Sequence, residues 1–450
     1  MIVAFTLPLL IGNLFQQVYQ FTDAAVVGRM LGVDALAAVG ATGSLMFLLL
    51  GFTFGASGGL AIPIAKAYGA GDMAALRRYF ANSIRVSVLI SVVITVVGVL
   101  GAHWLLTLMQ TPPELVADAE AFLVISFWGT PIVMAYNLLA AVIRALGDSR
   151  TPLYFLILSA VLNVVLVIAF IGGFGWGVPG AALATVIAQA VSVALCIVLI
   201  ARRMPQLRLS RADWERRPGE LGETTRPGLA MGFQMSVIAI GAVVLQYAIN
   251  GLGADAVAAF TAAMRVDQIA VAPLSSFGLA LTTFVAQNRG AGQWARIRAG
   301  VWRISLVNWA LAVVLGGTII ALGSPIVRLF VGTGEPEVVG LAHDYLIVQG
   351  VLYPILASLF VLRYAIQGLG ATAVPTIAGF MELIFRSVAG LVLVAPLGFL
   401  GVALAAPLAW IGALIPVAFS WFAWRRALMG QADGAPEPVP VSRFRVARAS

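Results

Sequence analysis

Amide and ionisable side chains stand at a few places inside long apolar runs, and those are the places where this chain can do chemistry. In the first run Asn13, Gln16, Tyr19, Gln20 and Asp23 follow Pro8. At 100° per residue, Gln16, Tyr19 and Gln20 fall within about 60° of Asp23 on one helix face. The apolar run continues through residues 24 to 27, so Asp23 reads as embedded rather than as a solvated helix end. A carboxylate so placed can take up and release a proton or hold a cation. A lone amide, Asn163, interrupts the fifth run, where it can serve as interhelical glue or share a site with Asp23.

Two further clusters lie later in the chain. Glu382 and Arg386 are spaced i, i+4 and can pair on one helix face, either as a structural ion pair or as a substrate contact. Arg265, Asp267 and Gln268 stand near the start of another run. Residues two apart on a helix point apart, so Arg265 and Asp267 are not expected to pair, and Asp267 is a candidate for lining a cavity. Arg363, one turn from a predicted cytoplasmic helix end, is expected to snorkel towards the interface.

Other chemistries find no residues to carry them. His103 and His343 fall near predicted outer helix ends, far from other metal ligands, and no nucleophile is matched with a base. Cys196 reads as a small buried hydrophobe. The Gly-Ala-Gly runs at 69 to 71 and 290 to 292 are followed by no Lys-Ser/Thr and read as turns rather than phosphate loops. The chain is therefore expected not to be an enzyme, with no cofactor and no metal centre.

The elements that position these residues follow from composition. Of the 450 residues 61% are hydrophobic and 10% charged, against roughly a quarter charged in a soluble globule. The expected solvent is lipid, and backbone groups in lipid must be satisfied internally. No alternating ten-residue pattern points to a barrel. Hydropathy places spans near residues 2–27, 35–65, 83–108, 118–143, 152–172 and 180–201, then 228–250, 256–286, 301–330, 341–366, 375–396 and 400–424. At about 20 residues per span this is an all-α polytopic membrane protein of twelve transmembrane helices. Pro8, Pro131, Pro273, Pro354, Pro407 and Pro416 fall inside spans and are expected to kink them.

The net charge of +8 has its explanation in topology rather than in nucleic acid. Of the 27 Lys and Arg, all but Arg29, Arg265, Arg328, Arg363 and Arg386 fall on one set of alternate connections, while Asp34, Glu114, Asp118, Glu120, Asp255, Glu335, Glu337 and Asp344 gather on the other. The positive-inside rule then places both termini in the cytoplasm. The expected organisation is an N-terminal six-helix lobe over 1–201, a basic cytoplasmic loop over 202–227, a C-terminal six-helix lobe over 228–426 and a disordered cytoplasmic tail over 427–450.

The halves also repeat. At an offset of 221, Gly32, Asp34, Ala35, Ala37 and Ala38 meet Gly253, Asp255, Ala256, Ala258 and Ala259, Gly71 meets Gly292, and Arg77 meets Arg298. After the third span the offset is 223, which brings Pro131 onto Pro354, Gly147 onto Gly370 and Pro152 onto Pro375. Repeats of six spans insert in the same orientation, which implies two pseudo-symmetric six-helix bundles around a central cavity, a transporter architecture capable of alternating access.

The runs Pro8-Leu-Leu-Ile-Gly-Asn13, Thr22-Asp23, Val27-Gly28-Arg29 and Gly32 to Gly40 resemble the opening of the multidrug and toxic compound extrusion (MATE) transporters. Ala286-Gln-Asn-Arg-Gly-Ala-Gly292 resembles that family's second-half signature, and Leu146-Gly147-Asp148-Ser149 and Leu369-Gly370 its cytoplasmic turns. The likeness runs from residue 1 to about 426. It implies a cation-coupled antiporter for small amphipathic or cationic drug-like compounds in a prokaryotic plasma (inner) membrane, surrounded by lipid, monomeric and without nucleic acid.

In the prokaryotic members the coupling cation is carried by a cluster whose matches here are Gln16, Tyr19, Asp23, Asn163 and Thr185, with Pro8 at the bend of the first helix. Gln20, Gln234, Asp267, Glu382 and Arg386 are then expected to face the substrate cavity. Related members carry a second acid one turn after the Asn, where this chain has Val167. With one carboxylate, H+ is the expected coupling ion and Na+ the alternative. The acids typical of the NorM-type subgroup are also absent near Gln234 and Ile355, which points to the DinF-type. The competing assignment is a lipid-linked precursor flippase of the same superfamily, which needs a strongly basic cavity for a diphosphate. Arg265, Arg363 and Arg386 are its only candidates, and two have acids nearby.

Overall fold

The computed structural model describes residues 2–109, 111–215, 217–331 and 335–431, without the side chains of Tyr19, Gln20, Phe21, Asp23, Ala24, Ala25, Val33, Phe330 and Val331. The helices are α1 (Ile2–Leu31), α2 (Val33–Ala41), α3 (Gly43–Ala70), α4 (Met73–Leu108), α5 (Pro113–Trp128), α6 (Thr130–Ala145), α7 (Arg150–Ile168) and α8 (Gly177–Arg203). They continue as α9 (Glu220–Asn250), α10 (Ala254–Gly290), α11 (Trp294–Val331), α12 (Pro336–Gly368), α13 (Ala373–Val392), α14 (Val394–Leu397) and α15 (Phe399–Met429). No strand occurs among the described residues, so the class is all-α as composition requires.

Among the described residues ten helices are long and apolar enough to cross a membrane, and eleven if α5 with α6, bent by 47°, is counted as one span. In α1 the apolar stretch Ile2–Val18 gives way to the polar stripe, and with it the expected twelve segments are present. The bend between α5 and α6 falls at Gly129, ahead of Pro131, which has no N–H to continue the helical ladder. The second expected span is broken at Thr42 into α2 and α3, and the eleventh ends early at Val392. Most helices also overrun the hydropathy boundaries, because hydropathy registers only the apolar middle of a helix whose polar ends continue the same backbone ladder. On α4, Leu89, Val93, Val96, Val97, Leu100 and Trp104 form an exposed apolar face at helical spacing, as a lipid-facing surface should.

The described residues form two compact units, one within 4–68 and 72–232 and the other within 2–3, 69–71 and 233–431. The repeat is written into the backbone of both. Gly32 and Gly253 precede α2 and α10 with φ of 91° and 98°. Gly71 and Gly292 stand at 73° and 64°, Gly147 and Gly370 at 99° and 71°, and Gly175 and Gly398 at 69° and 55°. These pairs keep the offsets of 221 and 223 and occupy the left-handed region that a Cβ disfavours. The apolar core of the second unit extends from Leu245 to Leu428 through α10, α11, α12 and α15. Within it a Cβ on Gly316 meets the Gly350 carbonyl oxygen at 2.3 Å, so α11 and α12 cross backbone against backbone.

The expected loop over 202–227 is largely structured. Two 3-10 turns, Pro205–Leu207 and Arg211–Trp214, follow α8, and α9 begins at Glu220 with Glu220 and Glu223 in its first turn, where carboxylates complement the helix dipole. The segment is strapped to the start of α4 by successive residues. Arg77 Nε lies 3.3 Å from Asp213 Oδ1, Arg78 pairs with Glu220 at 2.9 Å, and the Tyr79 hydroxyl donates to Glu223. The Arg85 guanidinium sits 5.2 Å over the Trp214 ring and donates to its carbonyl. In the second unit Arg298, the repeat counterpart of Arg77, likewise holds a carbonyl near the end of α15, that of Leu428. Of the expected tail, α15 takes residues up to Met429, and residues from 432 onward lie outside the described set.

Burial acts to raise the Asp213 carboxyl, but hydrogen bonds from the Ser210 N–H and hydroxyl and from Arg77 outweigh it and hold the group below its ordinary value. A carboxyl depressed in the folded state contributes stability that is fully present above its unfolded pKa of about 3.9 and is lost as pH falls through the folded value. The strap should therefore stay docked at neutral and mildly acidic pH. Asp213→Asn should release it at pH 7, seen as faster tryptic cleavage after Arg208 and Arg211. At the helix crossing, Gly316→Leu should destabilise the protein by about 1–3 kcal/mol, read as a lower melting temperature in detergent.

Candidate functional site

In the first unit the structure brings together Asn163 on α7 and Thr185 on α8. Asn163 is fully buried, and its Nδ2 donates to Thr185 Oγ1 at 2.9 Å. The Thr185 hydroxyl spends its one hydrogen on the Ala181 carbonyl at 3.3 Å, so it can only accept from Asn163. This fixes the amide orientation. Asn163 Oδ1 is then left as a buried acceptor with no partner among the described residues. Val167, one turn further along, is buried as well and offers no oxygen. Gln16 is exposed, and the side chains of Tyr19, Gln20 and Asp23 lie outside the described residues. Pro8 lies inside α1.

The second unit holds a denser polar cluster. Glu382 on α13 is buried between two guanidinium groups, with Arg363 of α12 at 2.9 Å from Oε2 and Arg386, one turn on, at 3.2 Å from Oε1. Arg363 does not snorkel as expected. It is 3% exposed, because a carboxylate inside the bundle neutralises it more effectively than a route to water along its stem. Asp267 on α10 is half-buried and accepts a 2.7 Å hydrogen bond from the Tyr353 hydroxyl, and Arg386 lies within electrostatic reach of it. Gln367, one turn after Arg363, donates from Nε2 to Gln234 Oε1 at 2.9 Å, and Gln234 lies against Gly379, one turn before Glu382. Arg265 and Gln268 are exposed.

The expected Glu382–Arg386 pair thus forms, within a larger set that takes in the expected Asp267 and Gln234 and adds Arg363, Gln367 and Tyr353. The i, i+4 spacing of Arg363 and Gln367 was a signal for two of them, since it places both on one face of α12. Tyr353 carried no polar pattern of its own and is found only through its contact with Asp267.

The MatE family model matches twice, at residues 8–169 and 230–392, once in each half. The chain belongs to this family, the MATE transporters. Among its relatives, the probable multidrug resistance protein YoeA of Bacillus subtilis is 30% identical over 386 residues, covering 83% of this chain and 82% of that one. YpnP of the same organism, also a probable multidrug resistance protein, is 29% identical over 372 residues and 82% of each chain. The DNA damage-inducible protein F of Escherichia coli is 27% identical over 413 residues, 87% of this chain and 84% of that one. An outward-facing multidrug resistance MATE family transporter of the MOP superfamily has the same fold, with a TM-score of 0.87 at 21% identity over 95% of both chains.

Removing one member of a buried ion pair strands the rest. Glu382→Ala leaves two guanidinium groups without their shared carboxylate and should cost about 3–5 kcal/mol, measured as loss of thermal stability or of folded protein in the membrane.

Proposed function

We propose that this protein is an efflux antiporter of a prokaryotic inner membrane, which exports small amphipathic or cationic compounds by alternating access in exchange for inward-moving H+. The observation that carries the coupling ion is the unpartnered Oδ1 of Asn163. A protonated carboxyl has an O–H to donate to that acceptor, and a carboxylate has none. With Asp23 as the titrating group, protonation adds a hydrogen bond to Asn163 and deprotonation removes it. Pro8 loosens the backbone of α1 and lets the helix answer that change. Val167 supports H+ over Na+, since a metal ion needs several oxygens and this position supplies none.

Gln16, Tyr19 and Thr185 belong to the same first-half site in this reading. Gln20, Gln234, Asp267, Glu382 and Arg386 contribute to substrate binding. The names of YoeA and YpnP support the drug-like substrate class. The pairing of Arg363 and Arg386 with Glu382 weighs against a diphosphate-binding flippase. Both termini are cytoplasmic, and the protein acts as a monomer.

In proteoliposomes an imposed pH gradient should drive dye export and a Na+ gradient should not. Asp23→Asn should reduce the gradient-driven rate to the passive leak, and Asn163→Ala should lower it by about tenfold, one lost hydrogen bond to a buried group. Export by Asp23→Asn at the parent's rate would sink the assignment.

A further inference from the structure

The two polar clusters occupy one and the same place in the repeat. The offset of 223 that joins Gly147 to Gly370 and Gly175 to Gly398 brackets α7 and α13, and both glycine pairs keep their left-handed conformation. Between these fixed points Asn163 falls on Arg386, since 163 + 223 = 386, and Ser159 falls on Glu382. Where the first half presents a neutral amide with an open acceptor, the second presents a guanidinium bonded to a carboxylate.

The charges of the second cluster balance without help from outside. Arg363 and Arg386 carry two positive charges, and Glu382 and Asp267 two negative ones. Glu382 uses one oxygen for each arginine, and Asp267 has the Tyr353 hydroxyl and the nearby Arg386 charge. Arg265, two residues before Asp267 on α10, is exposed and stands outside this count, and the neighbouring described elements add no further charge. On α9, residues 233 to 250 contain no ionisable group except Tyr247, the ionisable groups of α15 are Arg425 and Arg426 at its far end, and Tyr345 of α12 is neutral near pH 7. A fifth charge entering this site would be uncompensated in a low-dielectric interior.

We infer that Arg386 is a tethered cation: its guanidinium permanently fills, in the second half, the position at which the first half exchanges its coupling ion. This rests on the proposed role of Asn163 for the identity of the first-half position, while the charge balance in the second half stands by itself. The exchanger accordingly has one exchangeable coupling site, in the first half, and a locked counterpart in the second. Removing the tether unlocks the counterpart, because the cluster is left with one surplus negative charge and space for a small monovalent cation.

The test uses the full-length protein, reconstituted or in detergent, with guanidinium, methylguanidinium and Na+ as added probes at millimolar concentrations in choline buffer. Arg386→Ala should lose about tenfold or more of the parent's transport rate, and guanidinium should restore a large part of it and raise the variant's melting temperature. The parent should respond to neither. Asp267→Asn/Arg386→Ala, which removes the surplus negative charge together with the tether and leaves Arg363 paired with Glu382, should be stable without any probe and indifferent to all three.

Full transport by Arg386→Ala in choline buffer would overturn the proposal, and so would a folded, inactive Arg386→Ala that none of the probes stabilises or rescues. If Arg386→Ala does not accumulate, the double variant decides. Its folding supports the charge account, and its loss refutes it. The melting readout does not pass through Asp23, so a failure of the first-half assignment shows separately as unimpaired export by Asp23→Asn.

Discussion

A charge held in the apolar interior of a membrane protein has to be neutralised where it stands, since desolvating an isolated ion costs far more than a marginally stable fold can supply. In the second unit that constraint organises the core. Glu382 faces Arg363 of the adjoining α12 and Arg386 one turn on in its own helix, and Asp267 is met by Tyr353 with Arg386 in reach. The helices that supply these groups, α10, α12 and α13, must keep their register for the charges to stay matched. The close crossing of α11 against α12 at Gly316 and Gly350 helps to hold that register.

The first unit meets the same constraint by a different route. At the position corresponding to Arg386 it has an amide, and an amide can be buried at far lower cost than a charge. Thr185 takes one side of that amide and leaves the other as an acceptor with no partner among the described residues. At corresponding places in the repeat the first unit thus buries an amide with an unpartnered acceptor, and the second an arginine bonded to a carboxylate. The strap that joins α8 to α9 is held on the first copy by residues of α4, with a guanidinium stacked on Trp214 and a capped turn around Asp213.

Much of this architecture was legible from composition and spacing. The all-α polytopic class follows from missing charge, because the bilayer admits only backbones that satisfy their own hydrogen bonds. The repeat was legible because left-handed turn positions demand glycine, so Gly32, Gly71 and Gly147 had to recur as Gly253, Gly292 and Gly370. The i, i+4 spacing of Glu382 and Arg386 announced their pairing. Element boundaries were less legible. The break at Thr42 and the early start of α9 at Glu220 depend on packing and capping that hydropathy does not register.

Sequence alone determined what kind of solvent surrounds this chain, how many segments cross it, and which few polar residues lie within it, because each is set by local composition or by periodicity along one helix. Only the tertiary structure decided which of those residues meet. Arg363 could equally have reached towards water, and its pairing with Glu382 rests on how α12 lies beside α13. Tyr353 carried no signal until α10 brought Asp267 to it. The open acceptor on Asn163 exists because α8 places Thr185, already committed to Ala181, on one side of the amide. Contacts between helices far apart in the chain depend on the packing of all of them together, and no window of sequence contains that information.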